Sequence, residues 1–305
     1  MIGRRIRMML GLSTLCLATV AILSSCLLLS GCTQAEPGYS VVVDSDGDEL
    51  EIIAGEVSVS SSDYLYDIAE GNITGHYPWS KTGFNPNVGT TEETVWSYST
   101  QYEFPGSAMQ MEVVSSDNIA DVPGSTGCLG VTIYYLDGNY VERSEVVILN
   151  GTTPVLTTHN NIYRINSFRC SNIGTDGVPA GNIILRGTGG GTVYSYISAG
   201  YTRACNIVYT VPDDMTLYIT SVMYSCVDAA KGVRFIAQAN YDDVPVVPRS
   251  FFLPYGEVTL YNTAIYRPLE LPTVFPEHTD IKVSVISTQA GAMADVVLRG
   301  WLEDN

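Results

Sequence analysis

Positive charge is scarce in this chain. Its 305 residues carry 15 lysines and arginines against 32 aspartates and glutamates, a net charge of −17, and charged residues of both signs make up only 15%. A surface this acidic repels phosphate backbones, so nucleic acid is excluded as an expected partner. With 46% hydrophobic residues, the chain can build a sizeable core and does not have the composition of a disordered protein. Histidine is scarcer still: only His76, His159 and His278, far apart in sequence. A Ser-His-Asp site would need one of them beside a nucleophile, and no G-x-S-x-G elbow is present. H-E-x-x-H, a phosphate loop and the dinucleotide fingerprint are also missing. The acids are scattered, with no sign of a pair poised across a sugar. The expectation is a non-enzyme with no catalytic residues and no cofactor.

Long helical periodicity is absent after residue 31. In its place stand short β-branched and aromatic runs bounded by turn residues, among them 131–136, 145–149, 182–186, 192–197, 216–222, 233–237, 281–286 and 294–301. Several alternate apolar and polar residues at period two, as sheets with one wet face do. Asp137-Gly138, Asn150-Gly151, Asp176-Gly177 and Gly189-Gly190-Gly191 supply the turns between them. The C-terminal prolines at 212, 245, 248, 254, 268, 272 and 276 suit edges and connections, because proline cannot donate to a ladder. The pattern predicts an all-β fold: an antiparallel β-sandwich or jelly roll of two packed β units, residues 64–200 and 201–305.

The N-terminus has a different character. Arg4, Arg5 and Arg7 precede an apolar stretch from Met8 to Leu29, then Leu29-Ser30-Gly31-Cys32. A charged start, an apolar middle and small residues before a cleavage point describe a signal peptide over residues 1–31. The last four residues resemble the bacterial lipoprotein box, which makes Cys32 the lipidation site and the membrane contact. An uncleaved anchor is the alternative, the stretch being near the ~20 residues a span needs, and an over-extended gene start is a third. Losing residues 1–31 removes three arginines and no acids, leaving 12 basic and 32 acidic side chains, a net charge of −20. Residues 32–63 read as a tether and an acidic hairpin, with a Ser-rich linker at 54–63.

Few other residues suggest chemistry. Asp44, Asp46 and Asp48 alternate as in a calcium loop, but Gly47 comes too early and the twelfth position holds no glutamate. An acidic turn is the preferred reading, with weak cation binding as the alternative and no metal site assigned. Gly187-Thr-Gly-Gly-Gly191 looks phosphate-cradling, yet no helix signal follows it, so a hairpin loop is expected. Trp79, Trp96 and Trp301 are expected in the core. Cys128, Cys170, Cys205 and Cys226 show no C-x-x-C spacing, which argues against zinc. Their three possible pairings stay open beside free thiols.

From Gly71 onward, ordered segments resemble an uncharacterised family of virion-associated structural proteins of tailed, often marine, phages. They are Lys81-Thr-Gly-Phe-Asn85, Glu93-Thr-Val-Trp96, Ser115-Ser-Asp-Asn118, Gly124-Ser-Thr-Gly127, Tyr135-Leu-Asp-Gly-Asn-Tyr140, Ser144-Glu-Val-Val-Ile-Leu-Asn-Gly151, Ile207-Val-Tyr-Thr-Val-Pro212 and Thr279-Asp-Ile-Lys-Val283. The resemblance implies a β-rich, non-catalytic capsid- or tail-associated component. Its partners would be other structural proteins or further copies of itself, a trimer among the expected assemblies. Localisation is then either the cell envelope, through a lipid on Cys32, or the virion. The alternative function is a surface lipoprotein binding a ligand such as a glycan.

The anchor has a direct test. A diacylglyceryl thioether needs the thiol, so Cys32→Ser should abolish both acylation and processing. Each buried CH₂ contributes about 0.8 kcal/mol to membrane binding, so the wild-type protein should carry acyl mass and fractionate with membranes, whereas the variant should lack acyl mass and keep residues 1–31. Intact-mass measurement of both proteins checks it. A wild-type chain without acyl mass would exclude lipidation.

Overall fold

The structure, a computed structural model, describes residues 39–43, 49–53, 56–58, 64–228, 230–240 and 252–305. It divides into two units, residues 1–70 and 71–305. In the first unit β1 (Tyr39–Val43), β2 (Glu49–Ile53) and β3 (Glu56–Ser58) form an antiparallel meander. The expected hairpin pairs Tyr39 with Ile53 and Val43 with Glu49. The Ser-rich stretch read as a linker contributes β3, which pairs Val57 with Ile52. A short helix, α1 (Tyr64–Glu70), ends the unit.

The second unit is all-β and antiparallel. Its strands are β4 (His76–Val88), β5 (Glu93–Thr94), β6 (Met111–Ser115), β7 (Cys128–Leu136), β8 (Glu142–Ile148), β9 (Val155–Leu156), β10 (Arg164–Ile173), β11 (Ile183–Gly187), β12 (Val193–Ile197), β13 (Val208–Thr210), β14 (Met215–Val227), β15 (Val233–Asn240), β16 (Leu253–Leu260), β17 (Ala264–Phe275), β18 (Asp280–Ser287) and β19 (Ala292–Asp304). Two sandwiches result. In the first, sheet β10-β7-β8 faces sheet β12-β11-β6-β9, and Ile133, Phe168, Met111 and Leu185 meet between them. In the second, sheet β13-β18-β15-β16 faces sheet β17-β14-β19-β4, and Phe235, Val283, Leu217 and Leu298 fill the space. Fully burying one such side chain contributes roughly 1.5–3 kcal/mol.

Sequence order and sandwich membership differ. A division at residue 200 would put β4 and β5 in the first sandwich. Their ladders run instead to β19 and β18. The outer edge of β19 needs hydrogen-bond partners along the whole strand, and thirteen-residue β4 supplies them from Val88 opposite Ala292 to His76 opposite Glu303. The chain therefore starts the second sandwich, crosses over to build the first, and returns through residues 201–207 to finish the second. The outbound crossing is pinned by edge-to-face rings, Trp96 on Tyr102 and Tyr102 on Phe104, with centroids 5.2 and 4.9 Å apart.

Local chemistry explains the edges. Pro254 lies in β16 and Pro268 and Pro272 lie in β17, both outer strands of their sheets; there a missing N–H costs no ladder bond. Gly300 sits where β14 bulges between Ile219 and Ser221. A Cβ there would come within 1.7 Å of the Tyr218 carbonyl oxygen, so no side chain fits.

A polar seam joins the sandwiches. The Arg164 guanidinium, on β10, donates to both carboxylate oxygens of Asp280, on β18, at 2.8 and 2.9 Å. It also donates to the Pro105 carbonyl at 2.7 Å and lies 3.8 Å over the Tyr163 ring. Thr210 Oγ1 donates to Asp280 at 2.6 Å. Asn166 and Thr210 exchange two bonds, at 2.8 and 2.9 Å, and Lys81 donates to the Asn166 carbonyl. Burial drives the Lys81 amine down to about 7. Both Arg164 and Asp280 are buried, so removing one charge strands the other. Asp280→Ala should destabilise the chain by about 3–5 kcal/mol, whereas Arg164→Met with Asp280→Leu should cost much less. Urea unfolding of the three proteins checks it; equal costs for single and double variants would mean that the pair is not coupled.

Candidate functional site

The sequence-predicted site residues Cys32, Asp44, Asp46 and Asp48 fall outside the described residues. The other candidates can be placed. The glycine run 187–191 forms the β11–β12 hairpin loop, as expected. Gly189 and Gly190 take positive φ of 73° and 79°, which glycine adopts without strain. Their N–H groups converge as in an anion cradle, and the anion is the protein's own. Glu112 on β6 accepts from both amides at 3.0 Å and from Arg186 Nε at 2.7 Å.

Buried carboxylates do the same elsewhere in the first sandwich. Asp121 accepts from the amides of Cys128, Ala180 and Gly181 and from Ser115 Oγ, at 2.6–3.1 Å. Glu145 takes the amides of Thr158 and His159 and the His159 ring. Asp137 takes the amides of Asn139 and Val141 and the Arg143 side chain. Each carboxylate ties a turn to a strand, and backbone donors that would otherwise be unsatisfied are spent on it. All three histidines sit against acids: His76 with Glu303, His159 with Glu145, and His278 with Asp213.

Asp213, Glu277 and His278 form a cluster with the donor types for a cation, their ligand atoms within 4.8 Å of one another. Their contacts are internal. His278 Nε2 lies 2.8 Å from Asp213 Oδ1, and Glu277 accepts the Asp214 amide at 2.8 Å. The His278 ring stacks on Tyr140 of the β7–β8 turn at 4.1 Å, and the Asp213 amide donates to the Tyr140 carbonyl. The cluster thus clamps three turns at one end of the seam. Two surface hollows are small: about 240 Å³ beside Tyr134, Glu142 and Arg143, and about 190 Å³ among Ser221, Met223, Tyr266, Val297 and Arg299. Both are below the range of roughly 300–1,000 Å³ usual for small-molecule sites.

The second hollow lies on the most distinctive surface of the unit, the outer face of sheet β17-β14-β19-β4. Register places Tyr266 opposite Met223 and Met223 opposite Val297, with Val274 opposite Tyr218 and Tyr218 opposite Trp301. Period-two alternation turns these residues away from the inner core. Tyr266 is 61% exposed, Val274 47% and Met223 37%, and Leu271, in the segment bulged off β17, reaches 82%. Trp301 is 7% exposed, yet its shelter comes from this outer face: it lies flat on Tyr218, centroids 4.9 Å apart and planes 9° apart. Trp79 packs on the inner core and Trp96 in an aromatic cluster with Tyr102 and Val208, so all three tryptophans are largely covered, in three different settings.

No protein family matches the chain, and no curated protein does. Among solved structures the chain is similar to those of infectious bursal disease virus. It is 12% identical to the Gx strain over 75% of this chain and 77% of that one, with a TM-score of 0.16. For the Gt strain the values are 12%, 80%, 83% and 0.16. For the VP2 subviral particle they are 11%, 87%, 68% and 0.17. These viral structures are likenesses at TM-scores too low for the chain paths to superpose, and neither fold nor role is taken from them.

The buried carboxylates make stability pH-dependent. Burial alone would raise Glu112, but the Gly189 and Gly190 amides and Arg186 outweigh it and hold the group below the usual carboxylate range. The same balance lowers Asp137 and Glu145. Unfolding returns all three to their ordinary values, so the unfolded chain binds more protons in acid. Their contribution is complete above about pH 4.5 and is lost as pH falls through the lower folded values. Glu112→Gln should cost about 1–3 kcal/mol at neutral pH and flatten this acid dependence. Urea midpoints from pH 7 to pH 3 for both proteins check it; parallel curves would contradict the assignment.

Proposed function

We propose that this protein is a non-catalytic structural and interaction module that assembles with further copies of itself, and with other structural proteins of a phage-type particle, through the outer face of sheet β17-β14-β19-β4. The observation that carries this reading is the exposed apolar and aromatic surface spanning β17, β14 and β19 in a chain with so acidic a balance. Contiguous exposed apolar surface of this kind marks interaction sites in soluble proteins. The face is rigid, because β14 is hydrogen-bonded along its length to β17 and β19, so little ordering entropy is lost on docking. The face carries charges of both signs on β19, Asp295 and Arg299, while the rows on β14 and β17 are apolar or aromatic at Tyr218, Met223, Tyr266 and Val274. Pro268 and Pro272 interrupt the free edge of β17, which disfavours open-ended strand addition and directs contact to the face. In this proposal the signal and the Cys32 lipid hold the module at a membrane surface during export.

The face makes a clear prediction. Met223→Lys with Tyr266→Lys should leave the fold intact and weaken self-association at least tenfold, about 1.4 kcal/mol. Sedimentation velocity of the full chain over a concentration series measures it. A wild-type chain that stays monomeric throughout, or a variant that associates equally well, would overturn the reading.

A further inference from the structure

The outer face of sheet β10-β7-β8 carries positive charge that no acid offsets. Arg169 on β10 and Arg203 in the returning segment form an antiparallel bridge, so their side chains leave the backbone directly opposite each other on one face. That face is the outer one. Phe168 beside Arg169, and Ile133 and Tyr135 beside Tyr134, pack into the first core, and side chains alternate along a strand. Both arginines are exposed. Arg169 donates to the Tyr134 hydroxyl, and its guanidinium lies 4.6 Å from the centre of that ring. Neither arginine has a carboxylate partner among the described residues, and the Arg203 side chain makes no hydrogen bond among them. Like charges directly opposite each other destabilise a ladder, yet these two stand together in a chain of 32 acids and 15 bases. The hollow of about 240 Å³ lies on the same sheet, with Tyr134 as a wall. Ser144 of β8 stands opposite Tyr134, and Leu136, Asn166 and Glu142 continue the lining. Glu142 accepts no hydrogen bond among the described residues, and partial burial pushes its carboxyl up. The sheet thus runs from two guanidiniums without counter-charges at β10 to a carboxylate without a donor at β8.

We propose that this face binds a saccharide bearing a carboxylate, with the acid group on Arg169 and Arg203 and the sugar ring in the hollow beside Tyr134. A guanidinium presents a planar fork that matches a carboxylate. It has five N–H donors, and the one bond from Arg169 to Tyr134 leaves others for a ligand. At the opposite end the ligand must supply donors to Glu142 and both donors and acceptors to Ser144, which is what sugar hydroxyls offer. Between these ends Tyr134 and Leu136 give apolar surface for the C–H groups of the ring. The hollow is small for a drug-sized ligand, but only the ring enters it, because the acid group lies on the arginines. The ligand carries isolated acid groups rather than a dense run of them, since a chain of net charge −17 repels polyanions. A single carboxylate is drawn to the local positive charge and meets less of that repulsion than a phosphate dianion. This binding rests on other residues than the self-assembly reading and stands independently of it.

Saturation-transfer NMR of the full chain tests it, with titrations of methyl glucuronide and methyl galacturonide. Methyl glucoside serves as the neutral counterpart and acetate as the bare carboxylate. The expected result is transfer to the ring protons of at least one uronide, with binding about tenfold tighter than that of the glucoside or of acetate, as one charge-assisted contact gives. Arg169→Gln and Arg203→Gln should each weaken uronide binding about tenfold. Should Arg169→Gln, which loses its bond to Tyr134, fail to fold, Arg203→Gln carries the same test. Ser144→Phe fills the hollow and should weaken the uronide while both arginines remain. No transfer to either uronide, a glucoside or acetate that binds as tightly, or uronide binding unchanged in Arg203→Gln or in Ser144→Phe would each overturn the proposal.

Discussion

The bidentate ion pair between Arg164 and Asp280 is the constraint on which the two-sandwich unit depends. It lies between strands that are 116 residues apart and belong to different sandwiches. Each sandwich has its own apolar core, and neither core fixes where the other sits. The chain crosses between them twice, and the ion pair holds both crossings. Arg164 donates to Pro105 on the outbound segment, and Asp280 accepts from Thr210 on β13, the strand that follows the inbound one. An apolar seam would tolerate sliding. A buried charge pair does not, because displacement leaves two desolvated charges without partners. Here Pro105 and Thr210 bond to the pair and Asn166 braces Thr210, so the network is linked in the way that sets one arrangement.

The same logic recurs on a smaller scale in the first sandwich. Glu112, Asp121, Asp137 and Glu145 are buried acids whose partners are mainly backbone amides of turns. They explain how a short-stranded, loop-rich sandwich keeps its connections in place, and they give part of the acidic composition an internal task.

Strand positions were legible because alternation and turn chemistry are local: the runs at 131–136, 216–222 and 294–301 all lie within β7, β14 and β19. Pairings were not, since nothing in residues 76–88 says that their ladder lies more than 200 residues away on β19. The glycine loop at 187–191 was legible as a hairpin, but its carboxylate occupant was not. The available signal was a charge inside an apolar run, Met111-Glu112-Val113, and Asp280 before Ile281 is a similar sign. Trp301 was expected in a core and is buried on an outer face instead, because burial by a stacked Tyr218 leaves no trace in residue type. The exposed face itself reads in sequence as ordinary period-two alternation, and only register brings Tyr266, Met223 and Val297 into one row.

That row is the surface we propose for self-association. The seam makes the two sandwiches one scaffold, and the scaffold presents a sheet face rich in exposed apolar residues with a proline-blunted edge. Hydrogen–deuterium exchange of the full chain over a concentration series tests the claim that this face is the contact. Amides of β17 and of the bulged segment around Leu271 should gain protection as concentration rises, while those of β8 and β9 on the first sandwich should not change. Exchange that is independent of concentration, or protection gained on the first sandwich alone, would contradict the account.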